Sequence, residues 1–207
     1  MSTEPITQPI IQPINVLFLC THNSARSILA EAMLNHISNG RFKAYSAGSS
    51  PRENQQPNPI GLEVLKNAGI ATDGLRSKSW DEFAKPDASR AGPPQASEAP
   101  SGGSEPHAVG SVGAPPPPVM NLVITVCDNA AGEACPYWPG QPATAHWGYE
   151  DPSADKDGVV ADDAHKREAF KQTLHALRRR LELLVNLPDA SVGRLMLETA
   201  ARNLAKS

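Results

Sequence analysis

Twelve residues near the start of the chain, Val16-Leu-Phe-Leu-Cys20-Thr-His-Asn-Ser-Ala-Arg26-Ser27, leave little room for alternative architectures. A short apolar run ends in a cysteine. After five intervening residues an arginine and a serine open a helical pattern. A strand passing directly into a helix belongs to an α/β sheet, and Cys20 then lies at the strand's carboxyl end, where open parallel sheets bind ligands.

The spacing Cys-x5-Arg carries its own chemistry. Five residues form a loop whose backbone N–H groups can point inward as an anion-binding nest. The helix beginning at Arg26 brings its positive end beneath that nest, which suits a tetrahedral oxyanion. The Arg26 guanidinium can fold back over the loop and hold two oxygens at once. The same donors are expected to lower the Cys20 pKa from about 8.5 towards the ~3.5–7.5 of activated thiols. Ser27 adds a hydroxyl for the thiolate. Cys20 is thus a candidate nucleophile, and Thr21, His22, Asn23, Ser24, Ala25, Arg26 and Ser27 are the candidate anion-binding residues, with Asn23 bracing the loop. The competing reading is a buried strand-end cysteine before a solvated helix. The placement of Cys-x5-Arg-Ser between strand and helix favours chemistry.

Composition excludes several classes. Nineteen basic residues against 22 acidic give a net charge of −3, which offers no electrostatic case for nucleic acid or an anionic membrane. The apolar runs at 16–20 and 122–127 are too short to span a bilayer. The first residues lack the basic start and apolar core of a secretory signal. Three cysteines fit neither a disulfide framework nor a zinc site, and the histidines show no metal-ligand spacing. A reducing cytoplasm is the expected compartment.

Along the chain, residues 1–13 read as a flexible tail. Strands are expected at 14–19, 42–46, 121–126 and 143–147. The helix after the loop places Ile28, Leu29, Ala32, Met33, His36 and Ile37 on one face. A second helix spans 57–68, and a loop with a short helix covers 75–83. From 86 to 118, nine prolines, five glycines and five serines in 33 residues predict a disordered insertion. A long helix follows at 164–187, stepping through Phe170, Leu174, Leu177, Leu181 and Leu184, with Arg178-Arg-Arg180 on the solvated side. Residues 189–207 form a helical extension carrying Leu195, Leu197, Ala200 and Leu204, to be packed on the domain or on a second subunit. The main domain, 14–188, is therefore expected to be α/β, a four-stranded parallel sheet with helices on both faces.

Cys127 follows the third strand, and loops after adjacent parallel strands share an edge, so Cys127 comes near Cys20. The residues leading to Cys135 are small and include Gly132, which makes that segment easy to rearrange. Taken alone, both cysteines read more readily as small buried apolar residues.

The motif Cys20-Thr-His-Asn-Ser-Ala-Arg-Ser27, followed by Ala30-Glu31, resembles the low-molecular-weight protein tyrosine phosphatase family, and within it the arsenate reductase branch. The resemblance covers roughly residues 14–85 and 119–188. His146-Trp-Gly-Tyr-Glu-Asp151-Pro152 is similar to the family's general-acid loop, which implies that Asp151 protonates the departing oxygen. The resemblance further implies arsenate as substrate, its reduction to arsenite for detoxification, and a relay in which Cys127 attacks Cys20 and Cys135 resolves the bond. The eight-position step from Cys127 to Cys135 is one longer than in the best-known members, which leaves glutathione or mycothiol as alternative resolving thiols. It implies no bound cofactor but an external reductant, thioredoxin or glutathione with glutaredoxin. Glu31 and Ser46 match positions that hold potassium in some relatives. Ser153-Ala154-Asp155 stands where tyrosine phosphatases usually carry aromatic residues, a departure that suits a small inorganic substrate. Two alternatives remain: a phosphotyrosine phosphatase working through a phosphocysteine, and a non-catalytic oxyanion or redox sensor.

Overall fold

The computed structural model describes residues 12–84, 117–131, 138–155, 161–188 and 193–206. Cys135, residues 1–11, nearly all of the 86–118 insertion and residues 189–192 lie outside them.

The elements run β1 (Ile14–Cys20), α1 (Arg26–Ile37), β2 (Phe42–Gly48), α2 (Pro59–Asn67), a 3-10 helix (Trp80–Glu82), β3 (Leu122–Thr125), α3 (Asp128–Ala131), β4 (Ala143–His146), α4 (Asp163–Val185) and α5 (Arg194–Leu204). The strands form one parallel sheet in the order β2-β1-β3-β4, the fold class expected from the sequence. Along β1 the side chains alternate between two cores. Val16 and Phe18 join Leu29, Leu65 and Leu177 on one face, and Leu17 and Leu19 join Val123, Phe83 and Trp138 on the other. A strand buried on both faces has no polar side to show, hence its unbroken apolar run. Helices α1, α2, α4 and α5 contribute to the first core, while the 3-10 segment with Trp80 and Phe83 contributes to the second.

Two local expectations change. His36 is exposed in the last turn of α1, whereas every residue from Ser27 to Leu34 is buried. The first two turns are enclosed by β2 and α4 rather than docked on one stripe, so periodicity understated their burial. In α4 the five apolar residues named above are the buried ones. Arg180, however, is half-buried with its guanidinium 5.0 Å from the centre of the Tyr149 ring. The cation covers an aromatic face as well as meeting solvent.

The C-terminal helix packs on the domain. Leu197 and Ala201 are buried, and the fully buried Trp147 donates its indole N–H to the Ala201 carbonyl at 2.9 Å. Its inward face turns about Leu197 and Ala201, one residue from the expected Ala200. Among the described residues, no helix is long and apolar enough to cross a membrane.

The strand order also locates the site. From β1 the chain moves outward to β2, then crosses to β3 on the other side of β1 and on to β4. Between the carboxyl ends of β1 and β3 the progression reverses, and such a switch point leaves a crevice. Cys20 is the last residue of β1, and Cys127 comes two residues after β3.

Candidate active site

Residues 21–25 form the loop from β1 to α1, and the loop's carbonyls are tied into the protein around it. Those of Cys20 and Thr21 accept from the N–H groups of Ser49 and Ser50 at 3.0 and 2.9 Å. Ser24 accepts from Asn58 N–H at 2.8 Å, and Asn23 from the Ser77 hydroxyl at 2.7 Å. With the carbonyls held outward, the N–H edge turns towards the sulfur. Asn23 N–H lies 3.2 Å from Cys20 Sγ.

Asn23 is the brace. It is fully buried, and its φ of 52° is the left-handed conformation that asparagine tolerates better than most side chains. Its amide nitrogen donates to both Ser27 Oγ and Ser46 Oγ at 2.8 Å, and its amide oxygen accepts from Lys78 N–H at 2.7 Å. These contacts fix the direction of every neighbouring hydroxyl. Ser46 accepts from Asn23 and so donates to Glu31. Ser27 accepts from Asn23 and so turns its own proton to Cys20 Sγ, 2.9 Å away. A hydroxyl donating to sulfur favours thiolate.

Burial works the other way. Cys20 is 3% exposed, and desolvation raises its thiol pKa above the usual value, against the lowering effect of the Ser27 and Asn23 hydrogen bonds. The expectation of a lowered Cys20 pKa is therefore corrected: an apolar strand end costs the thiolate more than these hydrogen bonds return. Cys127, buried just beyond β3, also raises it through charge repulsion, so the two sulfurs lie within electrostatic reach. Cys127 Sγ meets the Thr21 hydroxyl of the anion loop at 3.6 Å.

Arg26 differs from expectation too. Its guanidinium reaches across to the acid loop, donating to Asp151 Oδ2 at 2.8 Å and to the Tyr149 carbonyl at 3.0 Å. Asp151 is aligned further by Ser153, whose N–H and hydroxyl donate to Oδ1 at 2.9 and 2.6 Å. The cation and the carboxylate expected at the site are thus brought together. Among the described residues, Arg26 Nε is buried without a hydrogen-bond partner. His22 and Ser24 line a cleft of about 600 Å³ with Arg52, Gln55, Gln56 and Asp151.

Three residues escaped sequence reasoning. Gly48, at the end of β2, lies under the loop, where a Cβ would stand 2.7 Å from the Thr21 carbonyl oxygen. Ser77 and Lys78 hold Asn23 from a segment 54 and 55 residues away. Lys78 is also buried against Glu31, its ammonium 3.1 and 3.3 Å from the two carboxylate oxygens. Potassium at Glu31 and Ser46 does not fit these residues, because the Lys78 ammonium already occupies the cation position. No local pattern marks a buried lysine. The only signal was its place beside Ser77 in an otherwise polar loop.

Comparison with known proteins agrees with this geometry. Residues 15–88 match the model of the low molecular weight phosphotyrosine protein phosphatase family. An arsenate reductase of Halalkalibacterium halodurans is 26% identical over 167 residues, covering 81% of this chain and 91% of that protein. One from Bacillus subtilis is 28% identical over 138 residues, covering 67% of this chain and 73% of that protein. Among solved structures, an arsenate reductase in its phosphate-binding state superposes with a TM-score of 0.54 at 21% identity, covering 83% of this chain and 96% of the other. As the resemblance implied, this chain has the low molecular weight phosphotyrosine phosphatase fold, and the relatives it is similar to are arsenate reductases.

Proposed function

We propose that this protein reduces arsenate to arsenite by a thiol relay. The observation that carries the reading is the pairing of two buried thiols at adjacent strand ends, with Cys127 Sγ against Thr21 of the loop that cradles Cys20. A phosphatase has no task for the second sulfur.

Arsenate binds in the 21–26 loop, held by its N–H groups and by the guanidinium of Arg26. Asp151, its carboxylate released from Arg26 by the bound anion, takes up the proton that the Cys20 thiol gives up. Cys20 thiolate attacks arsenic, an As–O bond breaks, and Asp151 gives the departing oxygen that proton. The protein side of this step is a preorganised anion site and a placed acid. Cys127 thiolate then attacks Cys20 Sγ. The S–S bond forms, the S–As bond breaks, and its electron pair stays on arsenic, which leaves as arsenite. Two thiols are oxidised to one disulfide, and one oxygen has left as water. The electrons are restored by an external thiol reductant, thioredoxin or glutathione with glutaredoxin, either directly or after transfer of the disulfide to Cys135.

A small oxyanion is favoured over phosphotyrosine by Ser153 and Ala154, which follow Pro152 where the resemblance places the aromatic residues that flank a phosphotyrosine ring. The test is arsenate reduction coupled to NADPH oxidation, with each reductant system in turn. Turnover that disappears in Cys127→Ser supports the relay. Hydrolysis of an aryl phosphate without arsenate turnover would establish the phosphatase instead.

A further inference from the structure

One histidine meets residues on both sides of Cys127. The register of the sheet pairs Thr125 with His146, the last residue of β4. His146 Nδ1 meets the Thr125 hydroxyl at 2.8 Å, two residues before Cys127. Its Nε2 meets Asp128 Oδ1 at 2.9 Å, one residue after Cys127. With a carboxylate as partner, Nε2 carries the proton, while the Thr125 hydroxyl lies between Nδ1 and the Ala145 carbonyl at 2.8 and 3.5 Å. Gly148 makes room for the arrangement. A Cβ there would stand 2.7 Å from Asp128 Oδ1 and 3.2 Å from His146 Nε2. The glycine has no positive φ, so the requirement is close approach and not backbone conformation.

Such a clamp does little for stability. The Asp128 side chain is 87% exposed, and exposed pairs contribute little. Its consequence is positional: it fixes the turn from which Cys127 faces Thr21.

We propose that His146, with Asp128 and Gly148, is a positioning device for the second chemical step, holding Cys127 for attack on the Cys20–arsenic adduct. The proposal rests on the relay reading above. It assigns His146 no contact with arsenate and no part in the first step. In that second step the S–S bond forms as the S–As bond breaks, and the clamp acts on the approach of the attacking sulfur. Misplacing a reacting atom by a fraction of its attack distance is sufficient to slow such a step.

The experiment is a single turnover of the reduced full-length protein with arsenate, quenched with an alkylating agent, with the Cys20–Cys127 disulfide quantified by mass spectrometry. Asp128→Ala and His146→Ala are expected to slow disulfide formation about two- to threefold, with KM for arsenate and Kd for inorganic phosphate unchanged. Asp128→Asn, whose amide oxygen still accepts from Nε2–H, is expected to restore the rate. Gly148→Ala, which crowds the pair without removing it, should slow the step in the same direction. Asp128→Ala, at an exposed position, keeps the test open should a His146 variant fail to fold. Wild-type disulfide rates in Asp128→Ala would overturn the proposal, as would an Asp128→Asn protein as slow as the alanine variant. Cys127→Ser separates the two claims. If it reduces arsenate normally, the relay itself is wrong. If it is inactive while Asp128→Ala is fast, only the clamp is wrong.

Discussion

Cys20 and Cys127 end neighbouring strands, yet the protein treats them differently. Around Cys20, its own carbonyl and three of the loop are bound by surrounding segments, and one buried asparagine fixes two serines and the Lys78 backbone. Beneath lies a buried Lys78–Glu31 pair. Among the described residues, Cys127 has beside it a four-residue helix with one buried residue, a 3.6 Å contact to Thr21, and a clamp to an exposed aspartate. In the proposed relay, the sulfur that grips an oxyanion through bond formation needs donors that do not reorganise. The sulfur that then changes partners needs a support that can be released. Among the described residues, the bracing is denser around the first.

The largest expected effect strikes the rigid side. Arg26→Lys keeps the charge but loses the planar fork, and kcat/KM for arsenate should fall by about 10²–10³-fold. A fall of less than tenfold would show that charge alone suffices. Asp151→Asn should lower kcat by about 10²-fold or more with little change in KM, since the amide still accepts from Arg26 but has no proton to deliver. Steady-state kinetics separate the two.

The asymmetry itself is tested by stability. Asn23→Ala removes a fully buried side chain and leaves Lys78 N–H without its acceptor, so urea unfolding should report a loss of about 2–4 kcal/mol. Asp128→Ala, beside the other sulfur, should stay within about 0.5 kcal/mol of wild type. Equal losses would dissolve the contrast.

The smallest effect is a titration. Burial raises the Cys20 thiol and the Ser27 hydrogen bond lowers it. Thiolate therefore appears on the alkaline side in the free protein, and the rate of Cys20 alkylation should rise with pH there. Ser27→Ala removes the lowering contribution, so the midpoint should move to still higher pH. A midpoint that moves down, or stays in place, would remove Ser27 from the account of the nucleophile.

What was legible in the sequence was local. Cys20 to Ser27 form one strand–loop–helix unit, so their spacing carries the geometry without help from the rest of the chain. Asn23 was readable as a brace because it lies within that unit. Asp151 was readable through its Pro152, but its ion pair with Arg26 spans 125 positions and depends on how β4 meets α1. Lys78 was illegible for the same reason, since a lysine in a polar loop reads as solvated until the sheet brings it against Glu31. Gly48 carried no signal in the sequence, because the carbonyl it makes room for belongs to a different strand's loop. The Cys20 pKa was misjudged because donors can be counted in a sequence and desolvation cannot. Cys127 was placed by topology, while Cys135 lies outside the described residues.

The central claim is that two protein thiols supply the electrons for arsenate. Its most direct test is steady-state arsenate reduction by Cys127→Ser beside wild type, with thioredoxin and with glutathione plus glutaredoxin. The account predicts turnover in wild type and loss of turnover in the variant, with phosphate binding retained. Undiminished reduction by the variant in either system would show that Cys20 passes its adduct to an external thiol directly, and would contradict the relay.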